Sequence, residues 1–271
     1  MNIFVITVCY NAAATLANTL SAMEAQCDAW THYFIIDGAS GDNTLCLAKE
    51  FVKRHRGKVT VVSEPDSGIY EAMNKGVALA LQKAGGEDLV AIVNADDYYA
   101  PEALLAMHKA ATDNPDIDIF YGDCELLRPD GSELHLLRTS VSPLNKMSAK
   151  SGMPVEHPTM FIRARIYRAL GLYNQTYRIA ADYEFVLRVL DAGSATLHVG
   201  RSVTCFREGG VSTTLVDESL KEAIRARVAH GANPVSERCR YAKQKFNERL
   251  FSLLRFIPGV ETAYNERYRS R

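Results

Sequence analysis

The sequence is short of everything that would mark a membrane span, a disulfide scaffold or a phosphate-binding glycine loop. No apolar run approaches the roughly 18 residues needed to cross a bilayer. Met1–Val8 has no basic residue and the chain turns polar at Asn11, so the opening does not read as a secretory signal. The six cysteines (Cys9, Cys27, Cys46, Cys124, Cys205, Cys239) contain no CxxC pair and keep no regular spacing from histidine. Reduced thiols in a cytoplasmic protein are expected, rather than a disulfide framework or a zinc cluster. No GxGxxG follows the first apolar run, and there is no GxxxxGK[ST], which argues against dinucleotide and P-loop sites. Internal repeats and low-complexity linkers are also missing. With 47% hydrophobic and 23% charged residues over 271 positions, the chain is not disordered, collagen-like or a coiled coil, and it can build a sizeable core. The single tryptophan, Trp30, is expected inside that core.

Charge is nearly balanced at −1 but unevenly spread. Residues 220–271 carry 12 Lys/Arg against 5 Asp/Glu, whereas residues 1–219 carry 19 against 27. An acidic body argues against nucleic acid as a partner. The basic tail suits an anionic one, such as a membrane surface.

What is present is an alternation. Apolar runs at Ile3–Val8, Tyr33–Ile36, Val59–Val62 and Leu89–Val93 predict strands. Helical patterns follow them, through Met23, over Asp42–Arg54, over Ile69–Leu81 and, after Pro101, over Glu102–Ala111. This spacing predicts an α/β fold, a mostly parallel sheet with helices on both faces, which binds ligands at the carboxyl ends of its strands. Each strand end carries polar groups: Cys9–Asn11, Asp37–Asp42, Glu64–Gly68 and Asn94–Asp97. Further on, Ile117–Tyr121 reads as a strand, Cys124–Leu127 and Leu134–Leu137 as a hairpin around Pro129-Asp130-Gly131, Thr159–Ile162 as a strand and Asp182–Leu190 as a helix. From Leu215 the tail reads as helical, broken at Gly231–Pro234. Carboxylates at strand ends cannot hold phosphates directly; they need a divalent cation between, and all-oxygen ligands suit Mg²⁺ or Mn²⁺.

Four segments occur in order at the four strand ends: Thr7-Val8-Cys9-Tyr10-Asn11, Ile36-Asp37-Gly38-Ala39-Ser40-Gly41-Asp42-Asn43-Thr44, Ser63 through Gly76, and Asn94-Ala95-Asp96-Asp97. Together they resemble a family 2 glycosyltransferase of the bacterial polysaccharide-building type, with the nucleotide-sugar-binding GT-A fold. The resemblance covers about residues 1–210. It implies a catalytic domain over 1–214, with a nucleotide-sugar part in 1–123 and an acceptor part in 124–214, followed by a basic helical extension over 215–271. Glu156-His157-Pro158-Thr159 and Ala181-Asp182-Tyr183-Glu184 resemble the family's acceptor-side segments.

The roles implied are these. Asp37 would accept a hydrogen bond from the base, with Thr7, Tyr10 and Asn11 lining the same pocket. A loop-capping Asp37 and a Tyr10 that merely packs at the sheet edge are the structural alternatives. Asp66 and Asn94 would hold ribose or sugar, and Lys75 would neutralise diphosphate unless it lies on a solvated helix face. Asp97 would ligate Mn²⁺ or Mg²⁺, with Asp96 beside it on the metal or the sugar. His157 is a further metal candidate, or a core histidine. Asp182 would be the general base, a role compatible with capping its helix, and Glu184 is the weaker candidate. The function implied is inverting transfer from a nucleotide-diphosphate sugar, a UDP-sugar, to a glycan or lipid-linked acceptor. The alternatives are a sugar-nucleotide pyrophosphorylase and a non-catalytic nucleotide-sugar-binding module. In the tail, Ala242, Phe246, Leu250, Leu253 and Ile257 share one helical face flanked by Arg238, Lys245 and Arg249. Residues 236–257 therefore read either as a helix packed on its own domain or as one lying on the inner face of the cytoplasmic membrane.

Overall fold

A computed structural model describes residues 1–128, 133–137, 144–207 and 215–254. The first four strands are β1 (Ile3–Cys9), β2 (His32–Asp37), β3 (Val59–Ser63) and β4 (Leu89–Asn94). Every residue of β1 and β2 is buried, which is why these strands are continuous apolar runs rather than alternating ones. Helix α3 (Ile69–Lys83) covers one face, packing Tyr70, Met73 and Val77 against Phe4, Ile6 and Val8. The other face takes α1 (Leu16–Ala25), α2 (Thr44–Arg54) and α4 (Ala103–Asp113), with Leu20, Phe51 and Met107 around Val5, Ile35 and Trp30. Trp30 is buried as expected, its indole N–H donating to Met23 O at 2.9 Å. Gly76 lets α3 lie close on β1: a Cβ there would come within 2.4 Å of Ile6 Cγ2.

Five more strands follow, β5 (Tyr98–Tyr99), β6 (Ile119–Leu127), β7 (Glu133–Leu137), β8 (Phe161–Arg163) and β9 (Thr196–Arg207). Among the described residues the sheet has nine strands in the order β3-β2-β1-β4-β8-β6-β9-β5, with β7 paired to β6. It is parallel through β3-β2-β1-β4. Beyond them β8 (Phe161–Arg163) runs antiparallel to both β4 and β6 (Ile119–Leu127). Strand β7 (Glu133–Leu137) forms the expected hairpin with β6, while its Pro129-Asp130-Gly131 turn lies outside the described residues. Strand β9 (Thr196–Arg207), which the sequence pattern does not announce, runs parallel to β6 and pairs with the two-residue β5 (Tyr98–Tyr99). Its alternation is interrupted at Gly200-Arg201, opposite a break in register beside Gly122. Strand β5 forms just beyond the polar end Asn94–Asp97 because β9 supplies its partner.

The remaining helices are α5 (Lys146–Ala149), α6 (Ala164–Leu170), α7 (Ala181–Asp191), α8 (Val216–Ala229) and α9 (Pro234–Leu254), with a 3₁₀ turn at His157–Thr159. The described residues up to 226 form one compact unit and those from 227 to 254 a second. In the second unit a buried ion pair joins Arg227 to Glu237, Nε and Nη2 both donating to Oε2 at 2.9 and 2.7 Å. No helix among the described residues is long and apolar enough to cross a membrane.

One side chain ties the middle of the sheet together. Arg163 ends β8, is 2% exposed, and donates to Ile117 O, Glu87 O, Ala111 O and Asn114 O at 2.6–3.0 Å. It thereby satisfies the C-terminal carbonyls of α4 and the turns entering β4 and β6. Replacing it leaves those carbonyls without donors, each costing about 1–3 kcal/mol where water cannot reach. Arg163→Met should lower the unfolding free energy by about 3 kcal/mol or more, read from the urea midpoint. A loss below about 1 kcal/mol would mean that water replaces the guanidinium.

Candidate active site

Parallel register sets the site. Cys9 pairs with Asp37 and Asp37 with Ser63, while Val8 pairs with Asn94, so the ends of β1, β2, β3 and β4 lie level at one edge of the sheet. The polar clusters that follow these strands therefore meet as neighbours.

Two loops are stitched into one wall. Asn11 N donates to Ser40 Oγ at 2.8 Å and Gly41 N returns a bond to Asn11 Oδ1 at 2.9 Å. Ala12 N donates to Thr44 Oγ1, and Ala13 N to Asp42 Oδ2. Asn11 (φ 49°) and Ala39 (φ 59°) both adopt the left-handed region, costly for alanine, and the cross-bonds hold that geometry. The hydroxyl and backbone N–H of Thr44 hold the Asp42 carboxyl below the usual carboxylate range.

Asp37 is fully buried. Its carboxylate accepts from Ser40 N, Ser40 Oγ and Ser63 Oγ, the last at 2.6 Å. Thr7 is also fully buried, and its Oγ1 accepts from Tyr33 OH at 2.8 Å, so its side chain belongs to the core. Tyr10, by contrast, is 67% exposed. Gly38 brings Asp37, Tyr10 and Asp66 together: a Cβ on it would lie 2.6 Å from Asp66 Oδ2 and 3.3 Å from Tyr10 Cδ2. Asp66 Oδ1 caps Gly68 N at 3.0 Å, and its other oxygen faces Gly38. Beside this wall, burial and the nearby Asp37 push the Cys9 thiol up to about 12.

Lys75 is engaged by the turn that precedes its helix. Its ammonium lies 3.0 Å from each of Glu64 Oε1, Glu71 Oε1 and Pro65 O. Bonding to Glu64 raises the lysine, and bonds from Ser67, with Lys75 adding to them, lower Glu71 to about 2. The charge is already compensated, and the residue pins the β3–α3 turn. Its neighbour Asn74 is buried and clasps the far loop, giving its Nδ2 to Tyr173 O at 2.8 Å and taking Tyr173 N at 2.9 Å. The Asn74-Lys75-Gly76 segment thus holds the scaffold at all three positions.

Asp96 and Asp97 occupy the turn after β4, and α1 pins that turn through Thr19 Oγ1, which donates to Asp97 O at 2.7 Å. Asp97 is 1% exposed. Its Oδ1 accepts Arg207 N at 3.0 Å, whereas its Oδ2 is buried with no partner within hydrogen-bond distance among the described residues. Burial lifts the Asp97 carboxyl well above the ordinary range, and the charges of Asp96 and Glu156 lift it further. Asp96, half-buried, is raised by burial as well, against the pull of Arg207. The Asn94 side chain adjoins the pair, with its Oδ1 buried and unbonded.

The acceptor-side segments face this pair. Glu156 is exposed, yet desolvation by the surrounding protein and then the charge of Asp182 raise its carboxyl. His157 is buried. Its Nε2 lies 2.8 Å from Tyr173 OH, which in turn lies 3.0 Å from Tyr167 OH. Burial lowers this histidine against the opposing effect of Asp182, keeping it neutral at pH 7, and only Nδ1 is left for a further ligand. Asp182 sits in the first turn of α7, where the helix favours an anion. Its Oδ1 accepts from Tyr183 N at 2.8 Å and lies 2.9 Å from Tyr70 OH. Glu184 points away into an i,i+4 pair with Arg188 at 2.8 Å. Two groups that the sequence did not single out, Glu156 and Tyr70, thus belong to the constellation. Both lie inside motif segments, the only signal that could have found them.

Residues 4–170 match the model of glycosyl transferase family 2. The chain belongs to that family. A PGL/p-HBAD biosynthesis glycosyltransferase of Mycobacterium tuberculosis is 27% identical over 216 residues, covering 79% of this chain and 80% of that protein. An uncharacterized glycosyltransferase of the same organism is 28% identical over 185 residues, covering 68% and 67%. Among solved structures, Staphylococcus aureus TarS residues 1–349 in complex with UDP superposes with a TM-score of 0.63 at 16% identity, covering 93% of this chain and 72% of that one. The Pyrobaculum calidifontis mannosyltransferase PcManGT, in complex with GDP-Man and Mn²⁺, gives 0.61 at 16% identity, covering 86% and 65%. The fold is GT-A, as the strand-end motifs implied.

Desolvation at Asp97 has a measurable sign. A carboxyl raised in the folded state binds its proton more tightly there than in the unfolded chain. Stability is therefore lost as pH rises from the unfolded carboxylate value, about 3.9, through the folded one. Asp97→Asn keeps an acceptor for Arg207 N and carries no charge. In metal-free buffer it should melt above the unmodified protein at pH 7, with the gain vanishing near about pH 3. Equal melting temperatures at both pH values would show that Asp97 is not desolvated.

Proposed function

We propose that this glycosyltransferase moves a sugar from a nucleotide-diphosphate donor, a UDP-sugar, to a hydroxyl of a glycan or lipid-linked sugar, with inversion at the anomeric carbon. The observation that carries the reading is the buried oxygen of Asp97, without a hydrogen-bond partner among the described residues, beside Asp96 and near enough to Glu156 to feel its charge, as Glu156 feels that of Asp182. A buried acceptor-only oxygen in surplus negative charge calls for a cation, and all-oxygen ligands suit Mn²⁺ or Mg²⁺. Asp97 and Asp96 would hold it. Among the described residues no three His, Cys, Asp or Glu side chains converge on one point. That fits an ion of the kind bound by one or two carboxylates and by the donor's own phosphates. When bound, the ion supplies charge stabilisation to the departing diphosphate. The solved relatives with UDP and with GDP-Man and Mn²⁺ support a donor and an ion of this class.

The chain's own residues do the rest. Asp37, Tyr10, Asn11 and Asp66 form the wall for base and ribose, with Asn94 at the sugar end. Thr7 supports that wall from the core through Tyr33, and Lys75 supports it by fixing the turn that carries Asp66. Asp182 takes the proton of the acceptor hydroxyl as its oxygen attacks the anomeric carbon, and the bond from that carbon to the diphosphate breaks. His157, neutral and tied to Tyr173, backs the acceptor side and keeps Nδ1 for a ligand. Nucleotide sugars with Mn²⁺, scored for release of nucleoside diphosphate, test the reading. Turnover is expected with a UDP-sugar, and Asp182→Asn should lower it about 10²–10⁴-fold while UDP binding persists. No release and no metal-dependent UDP binding across the panel would overturn the reading. An unimpaired Asp182→Asn would remove Asp182 as the base.

The tail is part of the same proposal. Phe246 and Val235 of α9 are 64% and 66% exposed, on a helix carrying Arg238, Arg240 and Lys243. We assign residues 236–257 to peripheral contact with an anionic membrane surface carrying the acceptor, each Lys or Arg adding about 1 kcal/mol. Those after 254 lie outside the described residues. The full chain should co-sediment with anionic liposomes at low salt and be released at high salt. Failure to bind anionic vesicles reduces the tail to packing.

A further inference from the structure

The segment between α6 and α7 has no secondary structure of its own, yet it delivers Asp182 to the cleft. It is held at two levels from α3: Asn74 clasps Tyr173, and Tyr70 OH lies 2.6 Å from Ile179 O and 2.9 Å from Asp182 Oδ1. A third hold comes from α8. The Glu222 carboxylate accepts three successive backbone N–H groups, from Arg178 at 2.8 and 3.0 Å, Ile179 at 2.8 Å and Ala180 at 3.0 Å. Arg225, one turn along, donates to Thr176 O at 2.7 Å and stacks its guanidinium 3.9 Å from the Tyr177 ring centre. Glu222 is 19% exposed and lies beyond the residues matched by the family model.

We propose that Glu222 is a positioning residue for the transfer reaction, fixing residues 178–180 and through them the Tyr70–Asp182 contact. The inference rests on Asp182 being the base. A hydroxyl has one proton, and that of Tyr70 lies between Ile179 O and Asp182 Oδ1. Where Ile179 is held therefore decides how Asp182 meets Tyr70. Three N–H groups without their acceptor would seek water and let the segment shift, and a misplacement of about 1 Å can cost about 10²-fold in rate. The donor wall is built on β1–β4 and is untouched by such a shift, so the effect falls on turnover and not on the donor.

The test is a kinetic cycle of Glu222→Ala and Glu222→Gln, each with and without Asp182→Asn. Glu222→Ala should lower kcat about 10–100-fold with donor KM and UDP affinity unchanged. Glu222→Gln keeps an acceptor oxygen for these amides and should recover most of the rate. In the Asp182→Asn background Glu222→Ala should cost little more, because both act on one step. Amides 178–183 should exchange faster in the folded Glu222→Ala protein. If Glu222→Ala does not fold, Glu222→Gln with near-normal kcat and unchanged exchange supports the proposal, and Gln with a lost kcat overturns it. An unimpaired Glu222→Ala, a loss that adds fully to that of Asp182→Asn, or a loss accompanied by a weakened donor overturns it too. If Asp182→Asn itself turns over normally, the base reading is what has failed, and this inference fails with it.

Discussion

The level ends of four parallel strands are the constraint on which everything else depends. Because Cys9, Asp37 and Ser63 lie in one register row, with Asn94 paired beside them to Val8, each β–α connection starts from the same edge. A slip of one residue in any of these strands would turn its buried side chains to the opposite face. It would also carry its polar end out of the row. Full burial of β1 and β2 between two helical layers forbids that slip, so core packing and site geometry are one requirement.

Within that frame the cleft is destabilised where chemistry is proposed and satisfied where scaffold is needed. Asp97 keeps a buried oxygen without a hydrogen-bond partner among the described residues; burial raises Asp97, Asp96 and Glu156 alike, and the charges of Asp96 and Glu156 raise Asp97 further. Asp37, Asp42, Lys75 and Asn74 each have two or more hydrogen-bond or ion-pair partners within the fold. Such unevenness is expected of a site that binds a charged ligand, since the missing partner arrives with the ligand.

Holding the acceptor side requires long reach. Asn74 and Tyr70 on α3 and Glu222 on α8 grip residues 173–180 from two sides, and Arg163 gathers carbonyls from three separate turns. None of these contacts is between sequence neighbours. The loop carrying Asp182 is ordered by side chains over 40 residues away in either direction.

How much could be read beforehand follows from the same division. The apolar runs of β1–β4, the helices after them and the Asp-rich strand ends were legible because burial on both faces and polar ends leave a local pattern. Asp96-Asp97 and Asp182 were legible as motif residues, and Glu156 lies near enough to both groups to couple their charges. Lys75 was read either as a phosphate contact or as a lysine on a solvated helix face; its pairing with Glu64 and Glu71 was not legible, because no spacing argument joins all three. Strand β9, strand β5 and Glu222 left no sign, since each is defined by a partner far along the chain. The sequence by itself determined which segments must be buried and where their polar ends fall, because hydrophobic periodicity is a local property. Only the tertiary structure decided which charges are compensated and which backbone amides find an acceptor, because those are pairings across space.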